Sequence, residues 1–248
     1  MDVTVLGCGA AYPRPGGACS GFLFSSGDTH VWVDAGNGTF SRLQQVISYG
    51  DIAALVLTHG HADHVADVLP LMYALGFDPV TPVAAALPVY APVDVETSLK
   101  WPLGGRSLEM FKSVFEFRHI KEPFTFGDMR FASFSTRHPA ETHGLRVSVG
   151  DRSVVYTSDT ALYPELADDC RDADVLICEA TYVDGVEAAP GVHLWARQAG
   201  QVARDAGAKR LILSHIWSTF DPEQAVREAA EEYDGPVEAA AEGKRYTV

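Results

Sequence analysis

Six consecutive residues, His59-Gly60-His61-Ala62-Asp63-His64, place three imidazoles and a carboxylate directly after the apolar run Ala53 to Thr58. Imidazole nitrogens and carboxylate oxygens are ligands for zinc and its first-row neighbours. At the end of a strand His59 and His61 point the same way, because side chains repeat with period two. Asp63 and His64 are adjacent, so they share that direction only if the chain turns. Gly60 and Ala62 are small enough to permit the turn. The local geometry therefore points to two metals rather than one. The plainer alternative is a solvated loop that happens to be rich in His, and four donors in register weigh against it.

The elements that must position these groups repeat one pattern. A short apolar, β-like run ends on an acid or a His. Val31-Trp32-Val33 ends at Asp34, Leu55 to Thr58 at His59, and Phe131 to Arg137 at His138. Val154 to Ser158 ends at Asp159, Val175 to Cys178 at Glu179, and Leu211 to Ser214 at His215. Ligands in open α/β sheets converge at the carboxyl ends of strands. Six such ends read as one site assembled from distant segments.

With those residues in view, the chain resembles the metallo-β-lactamase superfamily of metallo-hydrolases over nearly its whole length. The resemblance rests on Thr4-Val5-Leu6-Gly7-Cys8-Gly9, Val33-Asp34-Ala35-Gly36 and the His-x-His-x-Asp-His block. It continues through the isolated His138, Thr157-Ser158-Asp159-Thr160 and Leu213-Ser214-His215. Within the superfamily it is most similar to the branch of tRNA 3′-end endonucleases and small phosphodiesterases. Glu179-Ala180-Thr181-Tyr182 and His193, which opens a long Ala-rich helical run, point there. The resemblance implies an α/β fold, an αββα sandwich, built as a single domain over residues 1–248. It implies that His59, His61 and His138 hold one metal, that Asp63, His64 and His215 hold a second, and that Asp159 bridges. Zinc is the default cofactor, with manganese or iron as alternatives suited to a nitrogen–oxygen site. A hydroxide held between the two metals would attack the substrate, with Asp63 part of the catalytic centre.

Glu179 and His193 discriminate among reactions. Family members that cleave phosphodiesters use such a pair to protonate the leaving oxygen, and a His kept charged by Glu is a sensible acid. The alternative for His193 is a helix N-terminal residue after Pro190-Gly191. Asp34 either accepts the free N–H of a ligand imidazole and fixes its tautomer, or simply marks a strand-end turn. Trp195, Trp217, Tyr182 and Phe220 lie near site residues in sequence and are candidates for a wall against a base, or for core.

Composition narrows the substrate. The chain has 248 residues, 47% hydrophobic and 21% charged, ordinary for a globular protein. The formal net charge of −14 opposes sequence-independent binding to a long nucleic acid, which relies on Lys and Arg. Lys100, Arg106, Lys112, Arg118 and Lys121 form a local basic excess, read as solvated surface rather than a phosphate-facing patch. The tRNA-processing enzymes carry a long arm between the single His and the bridging Asp. Here Ala140 to Ser158 leaves room for only a turn and a strand. The expected partner is a small phosphodiester such as a cyclic nucleotide, with no membrane and with a homodimer left open. The start Met1-Asp2-Val3 is not a secretory signal pattern, and Cys8, Cys19, Cys170 and Cys178 lack a Cys-x-x-Cys spacing. A reducing cytoplasm is the expected location. Competing readings are a tRNA 3′-processing endonuclease, a hydrolase of thioesters, lactones or β-lactams, and a non-catalytic metal-binding protein.

Between the motifs, the glycine-rich loop Gly7 to Gly17 lacks a P-loop's Gly-Lys-Ser/Thr and is read as a tight turn beside the site. Helices are predicted over 39–49, over 63–76 with a stop at Gly76, over 194–207, and from Asp221-Pro222-Glu223 to about Tyr233. A last short strand is predicted within Gly243 to Val248. Residues 78–128, punctuated by Pro79, Pro82, Pro88, Pro92 and Pro102, are the least readable part.

Overall fold

A computed structural model describes residues 1–80, 85–188 and 191–248; Pro82 and Pro190 of the sequence reading lie outside them. The chain opens with β1 (Asp2–Gly7), the short β2 (Gly9–Ala10), β3 (Gly21–Ser26) and β4 (Thr29–Val33). Helix α1 (Thr39–Leu43) and β5 (Ile52–Val56) follow, then α2 (Ala62–Val65), α3 (Val68–Phe77) and β6 (Leu87–Ala91). Next come α4 (Val93–Lys100), α5 (Gly105–Val114), β7 (Phe115–His119), β8 (Phe124–Phe126) and β9 (Met129–Ser135). Strands β10 (His143–Val149) and β11 (Arg152–Tyr156), helix α6 (Leu166–Asp169), β12 (Val175–Glu179) and α7 (Ala196–Ala206) continue the chain. It closes with β13 (Leu211–Ser214), β14 (Ile216–Trp217), α8 (Pro222–Ala230), β15 (Val237–Ala239) and β16 (Arg245–Thr247).

Two seven-stranded sheets face each other, in the orders β16-β1-β3-β4-β5-β6-β7 and β15-β13-β12-β11-β10-β9-β8. Strand periodicity places the core. Val31 and Val33 of β4 point between the sheets, where they meet Phe131, Val154 and Ile177, while Trp32 points outward onto the α3, α4 and α5 layer. In β12 Ile177 faces inward, and Leu176 and Cys178 face α7 and α8. The layering is αββα, as the resemblance implies. All six catalytic-type strand ends lie on these two sheets, so the carboxyl ends of β4, β5, β9, β11, β12 and β13 share one edge of the sandwich. The two sheets are also tied there directly, since the His143 N–H at the start of β10 donates to the Thr58 carbonyl at 3.1 Å.

Several local readings change. The helix expected over 39–49 stops at Leu43, and Tyr49–Asp51 forms a 3₁₀ turn. The helix expected over 63–76 is two helices. The Asp67 N–H leaves the helical ladder to bond the Ala35 carbonyl at 2.8 Å, and the Ala35 N–H bonds the His64 carbonyl at 2.7 Å. That exchange ties the His-rich loop to the end of β4 and breaks the helix between Val65 and Val68. Gly76 lies inside α3 rather than ending it. It lets α3 approach α5, where an added methyl would meet the Met110 sulfur at 2.6 Å. Between His138 and Asp159 the chain makes two paired strands, β10 and β11, rather than one. Asp221 does cap α8, accepting the Glu223 N–H at 3.0 Å, but the helix ends at Ala230. The proline-punctuated segment folds into β6, α4, α5, β7 and β8. Its cations Lys100, Arg118 and Lys121 pair with Glu96, Glu116 and Glu141.

Gly36, after β4, packs directly against the His-rich loop. A methyl there would overlap the Asp63 carbonyl oxygen and lie 2.7 Å from that of Ser20. Gly36→Ala is expected to destabilise the protein by ~1–3 kcal/mol, the usual cost of overpacking. Chemical denaturation checks this; an unchanged midpoint would contradict so close an approach.

Candidate metal centre

The donors named from the sequence come together. One atom from each of His59, His61, His138 and Asp159 lies within 4.8 Å of the others, and the same holds for Asp63, His64 and His215. Asp159, His193 and His215 form a third such group, so His193 stands against both neighbours rather than apart from them. Asp159 sits at the centre. Its Oδ2 lies 3.6, 3.9 and 3.5 Å from Nε2 of His59, His138 and His215, and its Oδ1 lies 3.3 Å from Nε2 of His64. Asp63 Oδ2 faces His215 Nε2 at 3.2 Å.

The imidazoles are aimed by what holds their outer nitrogens. Nδ1–H of His64 donates to Asp34 Oδ2 at 2.8 Å, and Nδ1–H of His59 to Thr58 Oγ1 at 3.2 Å. His138 donates to the Val192 carbonyl at 3.2 Å, and His215 to Thr181 Oγ1 at 2.8 Å. In all four rings Nε2 is thereby the nitrogen that faces the cluster, where a metal ligand must present it. His61 is turned the other way and offers Nδ1, 3.0 Å from Nε2 of His138.

Three strand ends reach this geometry through a left-handed backbone. Asp34, Ser158 and His215 have φ of 57°, 52° and 54°. Such residues cost about 1–3 kcal/mol each and persist where the surroundings enforce them. The twist at Asp34 delivers its carboxylate to a buried hub. Asp34 accepts the Thr58 N–H and hydroxyl at 2.8 and 2.9 Å, the Tyr156 hydroxyl at 3.0 Å and the His64 N–H. Ser158 donates to Thr58 Oγ1 at 2.7 Å. Of the two readings left open for Asp34, hydrogen bonding to an imidazole is the one observed, and the turn is how it gets there. The glycine-rich loop also contributes, since the Ala11 N–H donates to Asp63 Oδ2 at 2.8 Å.

A fit to cations can be tested on the orphaned atoms. Nε2 of His59, Nε2 of His64 and Oδ1 of Asp159 are buried without a hydrogen-bond partner. Leaving such groups unpaired costs roughly 1–3 kcal/mol each. Two ligands at about 2.0–2.2 Å from a tetrahedral ion lie roughly 3.3–3.6 Å apart, which is the spacing around Asp159. The donor set therefore fits divalent metal binding. Burial drives His59 and His138 below the usual imidazole range, toward the neutral form that binds metal, whereas at His64 the facing Asp159 and Asp34 outweigh burial and raise it. Burial pushes the Asp159 carboxyl up, but the facing His215, His64 and His59 outweigh it and hold it well below the usual range.

Glu179 and His193 also meet. His193 Nδ1 lies 3.1 Å from Glu179 Oε1, and the His193 side chain keeps 13% of its surface exposed at the opening. Burial alone would lower its pKa; the hydrogen bond and charge of Glu179 win and raise it. Glu179 is buried and also accepts N–H groups of Thr160 and Leu194. Tyr182, Trp195 and Trp217 line the rim, half-buried. The Tyr182 ring is 5.0 Å from Trp195, 6.5 Å from Trp217 and 5.8 Å from His193. Phe220 packs against the helix-side core instead. The hydroxyls of Thr58, Ser158, Tyr156 and Thr181 were not singled out from the sequence. Thr58, Ser158 and Thr181 carried a signal in their places one, one and two residues from His59, Asp159 and Glu179; Tyr156 carried none.

An αββα sandwich with a His/Asp donor cluster at one edge of both sheets defines a metallo-β-lactamase-type protein. The chain belongs to the β-lactamase superfamily, whose domain model matches residues 29–216, and it is a metallo-hydrolase of that group. It is 34% identical over its full length to an uncharacterised protein of Mycobacterium leprae, covering 89% of that protein. It is 30% identical to the probable metallo-hydrolase YhfI of Bacillus subtilis, with 98% of each chain covered. The YhfI crystal structure superimposes with a TM-score of 0.88 at 29% identity, covering 99% of this chain and 98% of that one. Ribonuclease Z of Haloferax volcanii is 28% identical, with 100% of this chain and 95% of that one covered. No helix among the described residues is long and apolar enough to cross a membrane.

Asp34→Ala should destabilise the metal-free protein by about 3–5 kcal/mol, the usual loss when one partner of a buried charged network is removed. A shift below ~1 kcal/mol in chemical denaturation would show that the hub is not the anchor described.

Proposed function

We propose that residues 1–248 act as one catalytic domain, a binuclear metal-dependent phosphodiesterase for a small phosphodiester such as a cyclic nucleotide. The observation that carries this reading is the Glu179–His193 hydrogen bond, 3.1 Å long, held over the donor cluster. His59, His61 and His138 hold one ion, Asp63, His64 and His215 the other, and Asp159 reaches both. Bound divalent ions would supply Lewis acidity and make water a nucleophile near neutral pH. Zinc is the default, with manganese or iron as alternatives. Asp63 orients the reacting groups from its place between His215 and the Ala11 N–H.

Hydrolysis forms one P–O bond to water oxygen and breaks the ester P–O bond. The departing alkoxide needs a proton, and His193 supplies it from Nε2 while Nδ1–H remains on Glu179. Glu179 raises its pKa, which favours the protonated ring that a general acid needs. The half-buried Tyr182, Trp195 and Trp217 offer aromatic surface at the rim near His193, suited to contact with a nucleobase. The missing arm and the net charge of −14 favour a small substrate over tRNA or another long nucleic acid. A reducing cytoplasm suits the four free cysteines. A homodimer is compatible with this reading and is not required by it.

Metal analysis of the purified protein should find about two divalent ions per chain, and Asp159→Ala should lose at least one. Full occupancy in that variant would remove Asp159 from its shared place. His193→Ala should keep its metal and fold but slow hydrolysis of an alkyl phosphodiester by ~10²–10⁴, the usual worth of a general acid. The loss should shrink for bis(p-nitrophenyl) phosphate, whose leaving group needs little protonation. Equal rates for parent and variant on alkyl esters would defeat the acid role. Turnover of a thioester, lactone or β-lactam alone, or efficient cleavage at a tRNA 3′ end, would overturn the substrate class.

A further inference from the structure

We propose that Thr181 is a positioning residue that links the Glu179–His193 pair to the ion held by His215. This rests on the two-metal phosphodiesterase reading above. Thr181 is fully buried, and its Oγ1 lies 2.7 Å from Glu179 Oε2 and 2.8 Å from His215 Nδ1. The backbone brings these three together at one strand end. Glu179 pairs with Ser214 across β12 and β13, and the Ala180 N–H bonds the Ser214 carbonyl at 2.9 Å.

A hydroxyl has one proton to give. Glu179 already receives N–H groups on both oxygens, from Thr160 and His193 on Oε1 and from Leu194 on Oε2. A carboxylate so loaded accepts only, so the Thr181 proton goes to Oε2. The Thr181 lone pair then receives Nδ1–H of His215. That places a proton on Nδ1 of His215 and leaves Nε2, which faces Asp63 Oδ2 at 3.2 Å and Asp159 Oδ2 at 3.5 Å, as the nitrogen for a metal. His215 sits at a left-handed φ of 54° between β13 and β14, so its ring direction depends on this outer bond. One hydroxyl thus orients a metal ligand on one side and the partner of the general acid on the other. Outer partners of ligating imidazoles are typically worth about 10–100-fold in metal affinity.

The test is a competition titration of metal-free parent, Thr181→Val and Thr181→Ser with Zn²⁺ against a chromophoric chelator. The Val variant removes the hydroxyl at nearly constant shape. One of the two ions should bind ~10–100-fold more weakly in it, the other unchanged, and Ser should restore the parent isotherm. Parent affinity at both sites in the Val variant would overturn the proposal and leave the two-metal reading intact. Equal weakening of both sites, or weakening that Ser does not restore, would mean a general packing role and would also overturn it. A parent that takes up fewer than two ions would defeat the two-metal reading itself, before any variant is compared. Long-range ¹H–¹⁵N correlation of the metal-free parent gives a check free of mutation. His215 Nδ1 should carry a proton, and an unprotonated Nδ1 would refute the assignment even if the Val variant fails to fold.

Discussion

The Asp34 carboxylate is the interaction on which this end of the molecule depends. It leaves β4 of one sheet and accepts the hydroxyl of Tyr156 from β11 of the other. It also takes the Thr58 N–H and hydroxyl and the His64 N–H. One buried anion therefore sets the distance between sheets, the start of the His-rich loop and the direction of one imidazole. A buried carboxylate is tolerable only when its lone pairs are filled, and here four donors fill them. Through Thr58 the same anion reaches His59 and Ser158, so the ends of β4, β5 and β11 and helix α2 share one hydrogen-bonded centre.

The rest of the edge is arranged around a deliberate imbalance. Outer nitrogens of His59, His64, His138 and His215 have partners, while Nε2 of His59, Nε2 of His64 and Asp159 Oδ1 are buried without one. A fold that satisfied its own polar groups would not leave them so. The left-handed residues Asp34, Ser158 and His215 add local strain in the same place. Unpaired buried donors and strained backbone concentrated at one edge are the usual mark of a site whose missing partner is a ligand. Asp159 completes the arrangement, because its two oxygens face different imidazoles and can serve both halves of the cluster.

Much of this was legible in the sequence. Strand ends carrying His, Asp or Glu identify the edge because apolar runs and terminal donors are local features. The resemblance to metallo-hydrolases assigned the sandwich, and the two facing sheets agree with it. What escaped the sequence was through-space. Nothing in the run from Asp63 to Gly76 says that Asp67 will leave the helical ladder for the Ala35 carbonyl and split the helix. Gly76 looks like a stop until α5 places Met110 against it. The Pro-rich region was opaque because Pro88, Pro92 and Pro102 sit near element ends, where they punctuate without forbidding structure. Serine and threonine hydroxyls are too common in sequence to flag. Their roles at Thr58, Ser158 and Thr181 come from which segments the fold makes neighbours.

The central claim is that two cations share Asp159 within one pocket rather than occupying separate sites. Electron paramagnetic resonance of the protein loaded with two equivalents of Mn²⁺ tests it most directly. Ions about 3.5–4 Å apart and bridged by one carboxylate should give an exchange-coupled spectrum that collapses to isolated-ion signals in Asp159→Ala. A parent spectrum of two uncoupled Mn²⁺ ions, or of one ion alone, would contradict the account.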